Sequence, residues 1–331
     1  DKLPSDTYST SFNRALKCLL QAQSPETGSF SYQKTSQDAS LEASGWAALA
    51  LSQDENEQTR GPALKAMQFL HGAQNQDGGW STRPDAGRSD WSSAPSLMAL
   101  RLLQAEIGAQ SGAPPKKKLL RSIENGLFYL LDARYFQKPA TRLVLLVSKG
   151  ARSLDKDRGW PWDPDCFHWI EPTAYALLAL KLPGLPTVSN TERADIEHAI
   201  EKANGFILDH ACRGGGWNHG NDITLGAALP AYRLTTAEAL LALQDLKEEK
   251  KVKEGLDYLS TWSDKNTSSL SLAMSALALM AHGRSAQSEL NYLVERQGQD
   301  GSFTANLTTT AISALALAAG GKDKSPLFLK K

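Results

Sequence analysis

One unit recurs along the chain at a long spacing: an amphipathic helix, a Gly-aromatic turn, and a second helix built from small and apolar residues. The clearest copy runs from Phe69-Leu70 through Gln74-Asn-Gln-Asp-Gly78-Gly-Trp80 to Ser96-Leu-Met-Ala-Leu100. The last copy keeps the spacing, with Tyr292-Leu293, Gln297, Asp300-Gly301, Phe303 and then Ala311 to Leu317. A unit that cannot bury its own apolar face has to stack on its neighbours, so a fixed long period sets the architecture before any single residue is interpreted.

Six helix pairs are expected. Their first helices begin near Ser11, Arg60, Lys117, Thr191, Lys250 and Gln287, and their second helices centre near Trp46, Leu97, Leu177, Leu240, Leu277 and Leu315. In Arg60 to Gln74 the apolar Leu64, Met67, Phe69 and Leu70 alternate with Lys65 and Gln68, which reads as one buried stripe and one wet face. The second helices are different. Thr173-Ala-Tyr-Ala-Leu-Leu-Ala-Leu180, Thr236-Ala-Glu-Ala-Leu-Leu-Ala-Leu243 and Thr310-Ala-Ile-Ser-Ala-Leu-Ala-Leu317 are apolar nearly all round and therefore buried on every face. The arrangement this predicts is all-α: an inner ring of six helices inside an outer ring. Neither terminal repeat is polar enough to cap an open superhelix, so the ring closes. Residues 10–320 form this single domain, between an N-terminal extension (1–9) and a frayed tail (321–331).

The turns occur at Gln23 to Phe30, Gln74 to Trp80, Gly215-Gly216-Trp217 and Gln297 to Phe303. Glycine stops the first helix, while Gln and the aromatic pack the loop onto the end of that helix. The third copy is altered, reading Gly159-Trp160-Pro161-Trp162 after an insertion from Tyr135 to Arg158; the fifth carries only Trp262. Scaffolding is the role expected of the regular copies.

Charge excludes several functions. Thirty-six basic residues balance thirty-six acidic ones, so no overall charge recruits nucleic acid. The runs Lys116-Lys117-Lys118 and Lys250-Lys251-Val-Lys253 adjoin helix starts and read as solvated faces. No apolar stretch reaches the ~18 residues of a membrane span. Cys18, Cys166 and Cys212 are too few and too scattered for a disulfide framework, and fix no compartment. The sequence starts at Asp1 rather than Met, so a leader is neither seen nor excluded.

The turn and its spacing resemble the QW repeat of squalene and oxidosqualene cyclases. The six pairs resemble the six-hairpin α/α toroid shared by terpenoid cyclases and protein prenyltransferase β subunits, across nearly the whole chain. Squalene cyclases carry two toroids, and this chain has room for one. The resemblance implies a cavity at one end of the inner ring, lined by the starts of inner helices and the loops before them. It also implies an apolar, isoprenoid-like small molecule as the ligand. A protein partner or a peripheral membrane contact stays open.

The segment before the third inner helix concentrates the chemistry, with Trp160, Trp162, Phe167 and Trp169 among Asp163, Asp165, Cys166, His168 and Glu171. Class II cyclases place an acidic DxDD motif just before a Thr-Ala helix start. Aligned on Thr173-Ala174, its acidic positions fall on Trp169, Glu171 and Pro172, so only the middle carboxyl remains, as Glu171. Glu171 is then the candidate general acid, with Asp163 and Asp165 assisting and His168 nearby. Trp91, Trp160, Trp162, Phe167, Trp169 and Tyr175 form the wall facing a cation. Burial beside Trp169 favours the protonated acid and the helix N-terminus opposes it. Glu171-Pro172 is also an ordinary pair for a helix's first turn. The string Asp163-Pro-Asp165-Cys166 imitates the motif too far upstream.

Two alternatives stand beside this one. A prenyltransferase-like zinc site puts Asp163 on the Asp position and Asp165 where Cys belongs, with Cys166 one residue late and Thr309 where a His belongs; His168 or His219 would have to substitute. For a prenyl diphosphate there is little beyond Lys156 and Arg158. The expectation is therefore no metal and no cofactor. The other alternative is a non-catalytic binding or assembly subunit, whose cavity holds an apolar ligand or a peptide. Glu42 and Asp90, just before or within the first and second inner helices, face the same mouth or simply cap those helices.

No glycine-rich phosphate loop follows a strand, and no Ser/His/Asp grouping stands out. The Cys-Gly-Glu-Gln thioester motif of complement-type toroids is absent.

Overall fold

The computed structural model describes residues 5–54, 56–109, 111–133, 159–164, 166–183, 188–221, 223–224, 226–261, 266–322 and 324–329. Among them are twelve helices, alternately outer and inner. The outer ones are α1 (Ser5–Ala22), α3 (Glu57–Gly72), α5 (Lys116–Ala133), α7 (Asn190–Asp209), α9 (Lys250–Thr261) and α11 (Gln287–Arg296). The inner ones are α2 (Leu41–Ser52), α4 (Ser93–Ile107), α6 (Ile170–Lys181), α8 (Arg233–Ala242), α10 (Ser269–Ala281) and α12 (Leu307–Lys322).

The inner helices behave as their composition demands. Every residue of α2 from Leu41 to Leu51, and of α12 from Leu307 to Ala319, is buried. Hydroxyls cap two of the inner helices: Ser40 Oγ accepts from the Ala43 N–H at the start of α2, and Ser268 Oγ from the Ser271 N–H at the start of α10. Each inner helix packs against the next, α2 on α4 and so on to α12, and α12 packs back on α2. The ring is closed. Each outer helix rests on the inner helix before it in sequence, and α1 rests on α12, which carries the same rule across the junction of the two ends.

The turns build the outer ring. In the second copy, the Trp80 indole N–H donates to the Leu70 carbonyl of α3, and the Trp80 backbone N–H donates to Ser93 Oγ in the first turn of α4. Trp160 repeats this with Leu130 and Thr173, and Trp217 with Ile207 and Thr236. The glutamine reaches elsewhere. Gln74 Nε2 donates both to Gly78 O in its own turn and to Ser122 O in α5, the next outer helix. Beyond holding its own turn, the glutamine thus ties successive outer helices together. Gln23 does so with Pro62 of α3, and Gln297 with Ser11 of α1. Gly78, at φ +89, lies so close to α5 that a Cβ would come within 2.6 Å of the Asn125 carbonyl oxygen.

Near both ends the described residues pack further out along the chain than expected. Helix α1 starts at Ser5, several residues before Ser11, because Tyr8 is buried there and its hydroxyl donates to Asn291 Oδ1 of α11 at 2.8 Å. The tail folds back: Leu327 is fully buried, and Gln244 holds it by donating to Leu327 O and accepting from the Leu329 N–H. The insertion from Tyr135 to Arg158, including Lys156, together with Trp262, Lys330 and Lys331, lies outside the described residues.

Candidate acid and aromatic site

Short hairpins feed the inner helices at one end of the ring. Strands β1 (Phe30–Ser31) and β2 (Ala39–Ser40) pair before α2, and β3 (Trp160–Pro161) and β4 (His168–Trp169) before α6. A third hairpin of the same size, β5 (Ile223–Thr224) and β6 (Ala227–Ala228), precedes α8. Glu42 and Glu171 are therefore both the second residue of an inner helix, and Glu238 sits about one turn further into α8.

These three carboxyls meet at the mouth of the bore. Glu42 is 5 % exposed and accepts a 2.5 Å hydrogen bond from the Tyr32 hydroxyl. Burial, helped by the charge of Asp90, pushes its carboxyl up to about 7 against the pull of the Tyr32 bond. Glu171 is only partly buried, yet burial and then the charge of Glu42 raise it to about 7 as well. Glu238 lies deeper, and burial followed by repulsion from Glu171 lifts it well above the ordinary carboxylate range. The Tyr175 hydroxyl is 3.4 Å from Glu238 Oε1 and its own pKa is raised, chiefly by burial. All three acids thus favour their protonated forms up to about neutrality.

A row of rings runs beside them. Trp46 and Tyr175 meet edge-on at 6.0 Å, Tyr175 lies 6.3 Å from Trp91, and Trp91 meets Trp162 at 4.7 Å. Trp46 is i+4 from Glu42, and Tyr175 is i+4 from Glu171, so each acid shares a helix face with a ring. Trp46 and Tyr175 belong to inner helices separated by α4, and their contact fills the bore below the acids. The site is consequently a funnel with an aromatic floor. Beside it, a small cleft of about 20 Å³ is walled by Trp91, Ala94, Tyr129, Leu130 and Pro172. That is room for about one water, well below the size of a ligand pocket.

The remaining sequence candidates are dispersed. Trp160 is buried, its indole committed to Leu130 O, so it serves the scaffold. Asp90 braces the turn before α4: Oδ1 accepts from the Ser92 N–H and hydroxyl, and Oδ2 from the Thr82 N–H and hydroxyl. Asp163 is half-exposed and ion-paired to Arg88 at 3.4 Å. His168 packs its ring edge-on against Phe206 of α7, while Phe167 is exposed and Trp169 half-buried at the start of α6. Asp165 lies outside the described residues.

Cys166 is exposed, and His219 packs on Tyr232. Among the described residues no three His, Cys, Asp or Glu side chains are grouped so as to hold a metal ion. Thr309, at the position where a ligating His would stand, donates its N–H to the capping Asn306 Oδ1.

Three residues of the site escape sequence reasoning: Tyr32, Trp46 and Glu238. Glu238 left a signal, being the one carboxylate inside the otherwise apolar run from Thr236 to Leu243.

No family model matches the chain, and no curated protein matches it. Solved structures do. A variant of the type II terpene cyclase MstE from Scytonema, in complex with its substrate geranylgeranyl dihydroxybenzoate, superposes with a TM-score of 0.61 at 15% identity, over 97% of this chain and 99% of that one. A family 76 α-mannanase of Bacteroides thetaiotaomicron gives 0.65 at 10% identity over 96% and 95%. An inactive α-1,6-mannanase variant of Salegentibacter bound to α-1,6-mannotriose gives 0.63 at 9% over 96% and 100%. The chain shares the six-hairpin α/α toroid with terpene cyclases and with glycoside hydrolases alike, and no chemistry follows from the fold itself.

Proposed function

We propose that the toroid binds an isoprenoid chain at the funnel and initiates its cyclisation by protonating an alkene from Glu171. The observation that carries this is Glu171 itself: a carboxyl that keeps its proton to about 7, at a helix start, beside Tyr175 and Trp91. Alkene protonation needs a neutral acid that points at an apolar wall rather than at water. The proton passes from a Glu171 oxygen to one alkene carbon, and the neighbouring carbon becomes cationic. The faces of Trp91 and Tyr175 then stabilise that charge. Glu42 and Glu238 join as supporting acids, since the charge of Glu42 acts on Glu171 and the charges of Glu171 and Glu42 act on Glu238. The isoprenoid substrate in the cyclase of the same fold supports the substrate class.

A second reading has its own support. Two carboxyls both near 7 beside tryptophans are also the equipment of a glycoside hydrolase, and the mannanases share the fold. The deciding experiment incubates the protein with squalene and geranylgeranyl-bearing phenols, and in parallel with α-1,6-mannan and a β-glucan. Cyclised product that disappears in Glu171→Gln is the expected result. Glycan cleavage without cyclisation transfers the site to the second reading, and cyclisation that survives Glu171→Gln removes Glu171 as the acid.

A further inference from the structure

The mouth gathers acids that no base answers. Among the described residues no Lys, Arg or His forms an ion pair with Glu42, Glu171 or Glu238, although ion pairs occur on every side of the ring. Glu238 is 3 % exposed and its Oε2 has no hydrogen-bond partner. A buried carboxyl oxygen left bare is costly, on the order of 1–3 kcal/mol, and is found where a ligand supplies the partner. The groups facing Glu238 are Tyr175 and Glu171 from α6 and Glu42 from α2; Tyr32 and Asp90 act on Glu42. None of them is a cation. The nearest compensation is aromatic, from Tyr175 and the adjoining Trp91.

We infer that this mouth binds an organic cation, an amine or quaternary ammonium head, seated between the Glu42, Glu171 and Glu238 carboxyls and the rings of Trp91 and Tyr175. Carboxylates supply the countercharge and the ring faces supply the apolar side of the cage. With the funnel empty, burial puts protons where the positive charge is missing. An entering cation favours the carboxylate forms, so a carboxyl proton leaves to solvent as the cation binds. The inference goes beyond the proposed cyclisation and is independent of it, because the two depend on pH with opposite signs. Proton donation to an alkene needs the neutral acid and fades as pH rises through about 7. Cation binding needs the ionised acids and strengthens over the same range, approaching tenfold per pH unit for each proton released.

Choline and its neutral isostere 3,3-dimethylbutan-1-ol make the test, followed by tryptophan fluorescence and calorimetry of the full chain between pH 5.5 and 8. Choline is expected to bind at least tenfold more tightly than the alcohol at pH 8, with the gap closing towards pH 5.5. Calorimetry in phosphate and in Tris, whose ionisation heats differ, is expected to show protons released with choline and none with the alcohol. Glu238→Gln is expected to weaken choline at least fivefold at pH 8 and leave the alcohol unchanged. Equal affinities at pH 8, or choline binding without proton release, overturns the inference, and these wild-type measurements decide it if the variant does not fold. Isoprenoid turnover without choline binding sinks the cation site alone; choline binding without turnover sinks the cyclisation alone.

Discussion

Glu42 and Glu171 occupy equivalent places on two inner helices, and the charge of Glu42 acts on the proton of Glu171. Because the charge of Glu42 is the second cause, after burial, of the raised Glu171 carboxyl, Glu42→Gln is expected to move the Glu171 titration to lower pH. Carboxyl-labelled NMR of the single variants reads this directly, and a Glu171 midpoint that stays put would show that the two acids do not interact. Both residues were visible in the sequence, since a carboxylate in the first turn of an apolar helix stands out by position. Asp163 and Asp165 drew attention by density instead. Density misleads here: a loop acid such as Asp163 is free to reach a surface partner, Arg88, whereas a helix fixes where its side chain goes. Glu238 was missed because a lone carboxylate one turn inside a buried helix looks like an error in an apolar pattern rather than part of a site.

At the scale of the element, the turn repays comparison between its copies. Gln297 closes the ring by donating to Ser11 O and Gly301 O while its own oxygen accepts from the Ser11 hydroxyl. Gln297→Ala leaves those groups unpaired at a half-buried junction, for a loss of about 1–3 kcal/mol in a urea unfolding series. Gly301 adds a second constraint: it sits at φ +84 and a Cβ there would collide with the Arg14 carbonyl. Gly301→Ala is expected to lose at least about 1 kcal/mol, since α1 has to move or the backbone has to strain. Should Gly301→Ala unfold with the wild-type midpoint, the close approach of the two ends is not what holds them. The turn's existence was legible from Gln, Gly and Trp at fixed spacing. Its direction was not, because sequence spacing reports the helix that the turn leaves and says nothing of the outer helix it touches next. That second contact is made across the ring, by backbone carbonyls that carry no sequence signature.

For the whole molecule, closure was readable because the inner helices are apolar nearly all round and neither terminal repeat is polar enough to cap an open end. What the pattern could not show is that such a ring has a polar price at its mouth. Unfolded glutamates titrate near 4.3, while Glu42 and Glu171 in the folded protein hold their protons to about 7. Between those values the native chain keeps protons that the unfolded chain has released, so stability falls as pH rises from about 4.5 to about 7 and is level beyond. Taken separately, each acid accounts for roughly 3–4 kcal/mol over that window. His71 and His282 work against the trend: burial lowers both below the ordinary histidine value, so they withdraw stability as pH falls through about 6.5. A wild-type melting curve therefore mixes both signs, and the difference against Glu42→Gln/Glu171→Gln isolates the acids. The double variant is expected to match the wild type at pH 4.5 and to exceed it by several degrees in Tm at pH 8, because glutamine keeps the Tyr32 hydrogen bond without the charge. A gap that does not widen with pH would mean that water reaches these carboxyls, and with it would go the neutral acid on which protonation at Glu171 depends.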